Sequence, residues 1–220
     1  MSLQKFLTDV QNAGLKIDTV YDIGAWVGKW SSEMKNMALA NSDFVLFEAN
    51  PAYQQILSQS GFTVFCGTAL SNPGRESVTF YNGTNTGDSY YKETTTYYDL
   101  QGHIELPCTT LDHVRASLNL AIPQFIKIDT QGSELDILSG ASFLDQVDLI
   151  YIECPIIQYN KGAPDMQDYL NFFKSRMFIP VTLLEVHIHE ATLVQIDIMF
   201  MRKEAKERIF GPNVNIRPFA

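Results

Sequence analysis

Residues Thr19-Val-Tyr-Asp-Ile-Gly-Ala-Trp-Val-Gly-Lys-Trp30 constrain this chain more than any other stretch. A short apolar run breaks at Asp22 and Gly24, and the spacing that follows is helical. A buried strand that ends in a glycine turn and feeds a helix is how nucleotide-type cofactors are held. Phe125-Ile-Lys-Ile-Asp-Thr-Gln-Gly-Ser-Glu134 repeats the design later in the chain.

The remaining pattern supplies a sheet for these two turns. Leu3, Phe6, Leu7 and Val10 recur at helical spacing until Gly14. Strands are expected at 19–23, 43–49, 63–70, 125–129 and 149–153. Helices are expected from Val27 to about Leu39, after the Asn50-Pro51 start signal, over 111–118, over 133–138 with Ser133 as N-cap, and around Met166–Phe173. Two last runs, 178–188 and 193–201, are joined by a turn short enough for a hairpin. This alternation predicts an α/β, doubly wound Rossmann-like sheet, mostly parallel with a C-terminal antiparallel strand, in one domain over 1–220. Glu76 to Asn82 alternates like an edge strand. The polar segment of about 83–103 carries Tyr90, Tyr91, Tyr97 and Tyr98 without a clear period, the mark of a functional flap or a surface loop.

Charge narrows the partners. The net charge is −9 and the basic residues are scattered, which argues against a nucleic-acid or anionic-membrane surface. Cys66, Cys108 and Cys154 form no pairable framework and are read as reduced thiols. The opening Met1-Ser-Leu-Gln-Lys-Phe is not an apolar leader, and no run approaches the ~20 residues that span a bilayer. A cytoplasmic location is expected.

In the first turn, a dinucleotide site would need a second glycine where Trp26 stands, because the pyrophosphate passes through that missing side chain. Asp22 would also repel a phosphate. A cationic or zwitterionic ligand suits Asp22-x-Gly24-x-x-x-Gly28 better, the plain alternative being a turn that only packs helix on strand. Glu48, at the end of Phe44-Val-Leu-Phe-Glu, lies at the offset where such folds place an acid on a ribose diol.

Asp22-Ile-Gly-Ala-Trp-Val-Gly28, Phe47-Glu-Ala-Asn-Pro51, Thr110-Leu-Asp112, Lys127-Ile-Asp-Thr-Gln-Gly-Ser-Glu134 with Gly140-Ala141, and Ile150-Tyr-Ile-Glu153 resemble the FkbM-type methyltransferases. The resemblance runs from about Asp18 to Arg202 and is most specific around Asp129. It implies a class I S-adenosylmethionine-dependent fold of seven strands in the order 3-2-1-4-5-7-6. It also implies O-methyl transfer to a small-molecule or glycan hydroxyl. Matched position by position, Asp22, Gly24, Ala25 and Gly28 would hold the methionine portion of the cofactor, Glu48 the ribose, and Thr68 and Ala69 the adenine. The family usually has Asn where this chain has Trp26, which is read as stacking on the cofactor or capping its pocket.

Methyl transfer to oxygen needs an aligned hydroxyl and a destination for its proton. Asp129, Glu153 and His187 are the expected catalytic groups, with Glu134 and His189 as further candidates near the rim. Ser89, Tyr90, Gln131 and Glu134 are the expected acceptor contacts. Asp129, Glu134 and Glu153 would suit a hard divalent cation, or act without metal as base, helix cap and sheet-end acid. The metal-free arrangement is favoured. Two rivals stay open: a nicotinamide-dependent oxidoreductase, against which Trp26 speaks, and a non-catalytic cofactor-binding module.

Overall fold

The chain's strands form where apolar residues run unbroken, and its helices where they recur every three or four positions. The computed structural model describes residues 1–83, 87–95 and 102–212. The main sheet contains β1 (Thr19–Ile23), β2 (Asp43–Glu48), β3 (Thr63–Cys66), β7 (Phe125–Ile128), β8 (Leu149–Pro155), β9 (Phe178–His189) and β10 (Thr192–Arg202). Its order is β3-β2-β1-β7-β8-β10-β9. All neighbours are parallel except β10, which runs antiparallel to both β8 and β9. This is a doubly wound, Rossmann-like α/β sheet.

The order differs in detail from the expected 3-2-1-4-5-7-6, because three further strands intervene in the chain. β4 (Ala69–Leu70), β5 (Ser77–Asn82) and β6 (Gly102–Thr109) form a second sheet, β4-β6-β5. The single strand expected over 63–70 is thus two. Gly67 has φ +85°, a left-handed conformation that turns the chain out of the main sheet before Ala69. Strand β6 begins at Gly102, inside the segment read as patternless. In the rest of that segment, 87–95 makes two isolated bridges, Tyr81 to Ser89 and Glu93 to Asn160, while Tyr97 and Tyr98 lie outside the described residues.

Helices α1 (Leu3–Asn12), α2 (Lys29–Lys35), α3 (Gln54–Ser58), α4 (Leu111–Ser117), α5 (Glu134–Ser139), α6 (Met166–Ser175) and α7 (Lys203–Phe210) surround the strands. Phe6, Leu7 and Val10 of α1 join one core with Val20, Phe44, Phe125, Leu149 and Met201. On the opposite face Tyr21, Val45, Ile126 and Ile150 pack with Leu111, Ile137, Tyr169 and Phe173. Helix α2 is shorter than the expected 27–39, because Gly28, in the left-handed region, is its N-cap. Ser133 does not cap α5 with its side chain. Its hydroxyl donates to the Thr130 carbonyl instead, at 3.1 Å.

Strand register sorts one sheet face into rows. Phe44, Val20, Phe125, Leu149 and Met201 are cross-strand partners in an apolar row. Two residues nearer the ligand edge come Leu46, Asp22, Lys127, Tyr151 and Met199. The last row is Glu48, Gly24, Asp129 and Glu153, one step beyond the paired Phe47, Ile23, Ile128 and Ile152. It continues through Asp197 to Glu185 by direct register. Gly24 is the gap in a line of five carboxylates.

That gap is steric. A Cβ on Gly24 would lie 1.9 Å from the Asp129 carbonyl oxygen, and φ is +77°. Gly24→Ala is expected to cost upwards of about 3 kcal/mol, at the damaging end of single substitutions, read from the urea midpoint. Gly28→Ala, also at a positive φ of +74° but with its Cβ meeting only the ends of the Leu46 and Leu57 side chains at 3.1 and 3.4 Å, is expected to cost less.

Candidate active site

Above the acidic row the structure opens into a cavity of about 420 Å³. Gly24, Ala25 and Trp26 from the first turn line it, with Glu48, Thr68 and Ala69 on one side and Asp129, Glu153 and His187 on the other. Sequence reasoning selected all nine. Tyr90 lines it too, but Asp22, Gly28, Ser89, Gln131 and Glu134 do not.

Glu48 is nearly buried and accepts one backbone N–H on each oxygen, from Trp26 at 2.7 Å and Asn50 at 2.8 Å. Trp26 reaches it by adopting φ 49°, a strained value for a residue with a side chain. Its ring meets Tyr53 edge-on at 6.5 Å, and both aromatics line the cavity with Glu48. Burial pushes Glu48 up to about 7, and the two N–H bonds only partly oppose this. Asp88 completes this side, held by Asn50 Nδ2 and the Gly83 N–H, both at 2.7 Å.

Lys127 forms part of the cavity floor. Its Nζ stands 3.1 Å from the Gly24 carbonyl, 3.3 Å from Asp22 Oδ1 and 3.6 Å from Asp129 Oδ2. Burial alone would lower its pKa, but the Asp22 and Asp129 carboxylates more than offset that, and its pKa is raised. Asp22 also accepts from Ser31 at 2.6 Å. Asp22 is fully buried behind the cavity wall, where it pairs with Lys127 and anchors α2 through Ser31. Gly28 likewise shapes the turn from behind.

On the other side, Gln131 bridges the two acids, its Nε2 donating to Asp129 Oδ1 at 3.0 Å and to Glu153 Oε1 at 3.2 Å. Glu153 further accepts from Tyr159 at 3.1 Å and Gln195 at 2.6 Å. Burial, then the charges of Asp129 and Asp197, hold Glu153 well above the usual carboxylate range. His187 Nε2 faces Asp197 and Glu185 at 3.8 and 3.7 Å.

Glu134 turns away from this space. Its oxygens accept from Thr130 N at 2.8 Å, Gly132 N at 3.0 Å and the Tyr169 hydroxyl at 2.5 Å. The carboxylate ties down its own loop and α6, so Asp129, Glu134 and Glu153 do not converge as one cation site. Ser89 is buried and donates to the Gln131 carbonyl at 2.9 Å. Gln131 and Ser89 thus act behind the wall. Tyr90 and Tyr91 both donate to Asp136 Oδ2 on α5, at 3.2 and 3.0 Å, which fixes the described part of the insertion beside the cavity.

Sequence reasoning assigned no role to Lys127, Asp88, Tyr151 or Asp197. A lysine between Ile126 and Ile128, and an aspartate between Ile196 and Ile198, were the available signals, since a charge inside a buried strand needs a partner.

Fold and site define a methyltransferase of the S-adenosylmethionine-dependent class, and comparison with known proteins agrees. The family described as methyltransferase FkbM domain matches residues 22–180, and the chain belongs to that family. No curated protein sequence matches the chain. Among solved structures, a putative O-methyltransferase from Klebsiella pneumoniae is similar at 13% identity and a TM-score of 0.51, covering 90% of this chain and 79% of that one. The O-methyltransferase from Bacillus cereus, solved in complex with SAH, is similar at 14% identity and a TM-score of 0.50, covering 90% and 80%. Both likenesses concern the fold. No helix among the described residues is long and apolar enough to cross a membrane.

Two outcomes test the site's electrostatics. Lys127→Met strands a buried Asp22 charge and is expected to cost about 3–5 kcal/mol in urea unfolding. Adding Asp22→Asn should recover a large part of it; a double variant no better than the single would show that the pair is uncoupled. For Glu48, whose pKa rises on folding from the ordinary 4.5 to about 7, the native state binds the extra proton in that interval. Its contribution is present in full below about pH 4.5 and is lost as pH rises through 7, by about 3 kcal/mol in all. Glu48→Gln should flatten that part of the stability profile.

Proposed function

We propose that this cavity binds S-adenosylmethionine with its ribose on Glu48, and that the chain methylates a hydroxyl of a small-molecule or sugar acceptor. The single observation that carries the reading is the shared cavity between Glu48 and Asp129, divided by Gly24. Glu48 keeps a free lone pair on each oxygen after its two N–H bonds, enough for both hydroxyls of a ribose. Adenine is assigned to the space by Thr68, Ala69 and Asp88, and the methionine portion to the turn at Gly24, Ala25 and Trp26. The sulfonium then lies over the acidic row, where a positive charge is favoured and a phosphate is not.

The acceptor oxygen attacks the methyl carbon in line, the carbon–sulfur bond breaks, and the hydroxyl proton passes to Asp129. Asp129 is the base in this scheme because it lines the cavity and is aimed by Gln131 and Lys127. Glu153, held above the usual carboxylate range by its burial and by the charges of Asp129 and Asp197, orients the acceptor by hydrogen bonding. Tyr90 contributes an aromatic wall of the kind that sugars and flat acceptors use.

Calorimetry on the purified chain tests the donor. S-adenosylmethionine should bind, Glu48→Ala should weaken it at least about tenfold for the lost charge-assisted bonds, and NADH should not bind. Binding near pH 6 should release a proton from Glu48, seen as a buffer-dependent heat. Asp129→Asn should keep donor affinity within about threefold and lose about a hundredfold or more in methyl transfer to any hydroxyl acceptor the parent takes. NADH binding with no S-adenosylmethionine heat would overturn the reading.

A further inference from the structure

The acidic row does not end at Glu153. It passes through Asp197 on β10 to Glu185 on β9, and His187 stands two residues along from Glu185, beside them. One nitrogen or oxygen from each of Glu185, His187 and Asp197 lies within 4.8 Å of the other two. All three line the cavity, on the side away from Glu48.

We propose that Glu185, His187 and Asp197 bind a divalent first-row transition ion, in the range from manganese to zinc. The first reason is distance. His187 Nε2 lies 3.8 Å from Asp197 Oδ1 and 3.7 Å from Glu185 Oε2, too far for hydrogen bonds. Ligand atoms about 2.1 Å from a tetrahedral ion are about 3.4 Å apart, so small side-chain shifts close the site. The second reason is an unmet need. Asp197 is nine-tenths buried, yet its Oδ1 has no hydrogen-bond partner, and that is the oxygen facing His187. Its other oxygen is fixed by the Tyr151 hydroxyl at 2.6 Å, the kind of outer contact that orients a metal-binding carboxylate. The third is donor chemistry. One imidazole with two carboxylates is softer than the all-oxygen sites of calcium and magnesium. Three protein ligands at a cavity wall also leave a position open to the cavity.

An ion there would stand beside Glu153 on the acceptor side and make a coordinated hydroxyl more acidic, with Asp129 still taking the proton. That role rests on the methyl-transfer reading, whereas ion binding itself does not. His187 is then a ligand in place of the catalytic group expected from the sequence.

The full chain, stripped with chelator and dialysed, is titrated with Co2+ and followed by its visible absorption, with Zn2+ and Mg2+ as competitors. One equivalent of Co2+ should bind with the intense bands of a low-coordinate site, Zn2+ should displace it, and Mg2+ at the same concentration should not. Glu185→Gln, at an exposed position where folding is not at stake, should weaken binding at least tenfold, and His187→Ala and Asp197→Asn more. No saturable Co2+ binding, or binding unchanged in Glu185→Gln and His187→Ala, overturns the proposal. Donor calorimetry on the same samples separates the two readings. Intact S-adenosylmethionine binding without Co2+ binding removes the ion alone, and saturable Co2+ binding without donor heat leaves the ion site while removing the donor assignment.

Discussion

One ammonium group makes this active-site floor tenable. Five carboxylates stand in a single cross-strand line at the ligand edge, and like charges on neighbouring strands repel. Lys127 lies a row below, within reach of Asp22, Asp129 and the Gly24 carbonyl. It is enclosed by Trp30, whose ring centre is 5.9 Å away. Without that charge, the inner acids would have to take up protons or the strand tips would separate. The pair is also a junction, because Asp22 holds α2 through Ser31 while Asp129 continues into the loop that Gln131 organises.

The same line of acids gives the cavity two unlike ends. Gly24 has no side chain to contribute, so Glu48 is set apart from Asp129, Glu153, Asp197 and Glu185. On the Glu48 side the neighbours are backbone N–H groups and aromatic edges, a setting suited to a sugar diol and a flat base. On the other side the acids are stitched together by Gln131, Gln195, Tyr151 and Tyr159. That network leaves Asp129 the most open of the inner acids, with 41% of its side chain accessible. Charge and exposure together make the two ends of the cavity chemically different.

Much of this was readable before any coordinates. The strand at Thr19–Ile23, the proline-started helix after Asn50, the hairpin at the C-terminus and the acids at strand ends all follow from local pattern. Where a side chain points is not a local property. Asp22 and Glu134 carry the right chemistry at the right chain positions, yet both point into protein. Asp22 falls a row short of the edge, and Glu134 finds closer partners in Thr130, Gly132 and Tyr169. The small β4-β6-β5 sheet escaped because a two-residue strand has no period, and its partner β6 begins within a polar segment.

What the sequence determined by itself was composition along each strand: which residues alternate, where an apolar run stops, and that an acid or glycine stands at the stop. These are local properties, set by a side-chain repeat of two along a strand and by the few turns that glycine allows. Only the tertiary structure decided which acids become neighbours. Glu153, Asp197 and Glu185 belong to strands far apart or antiparallel in the chain, and hydrogen-bond register alone brings them onto one line. Register depends on how whole sheet faces bury against helices, a sum over the core that no single segment carries.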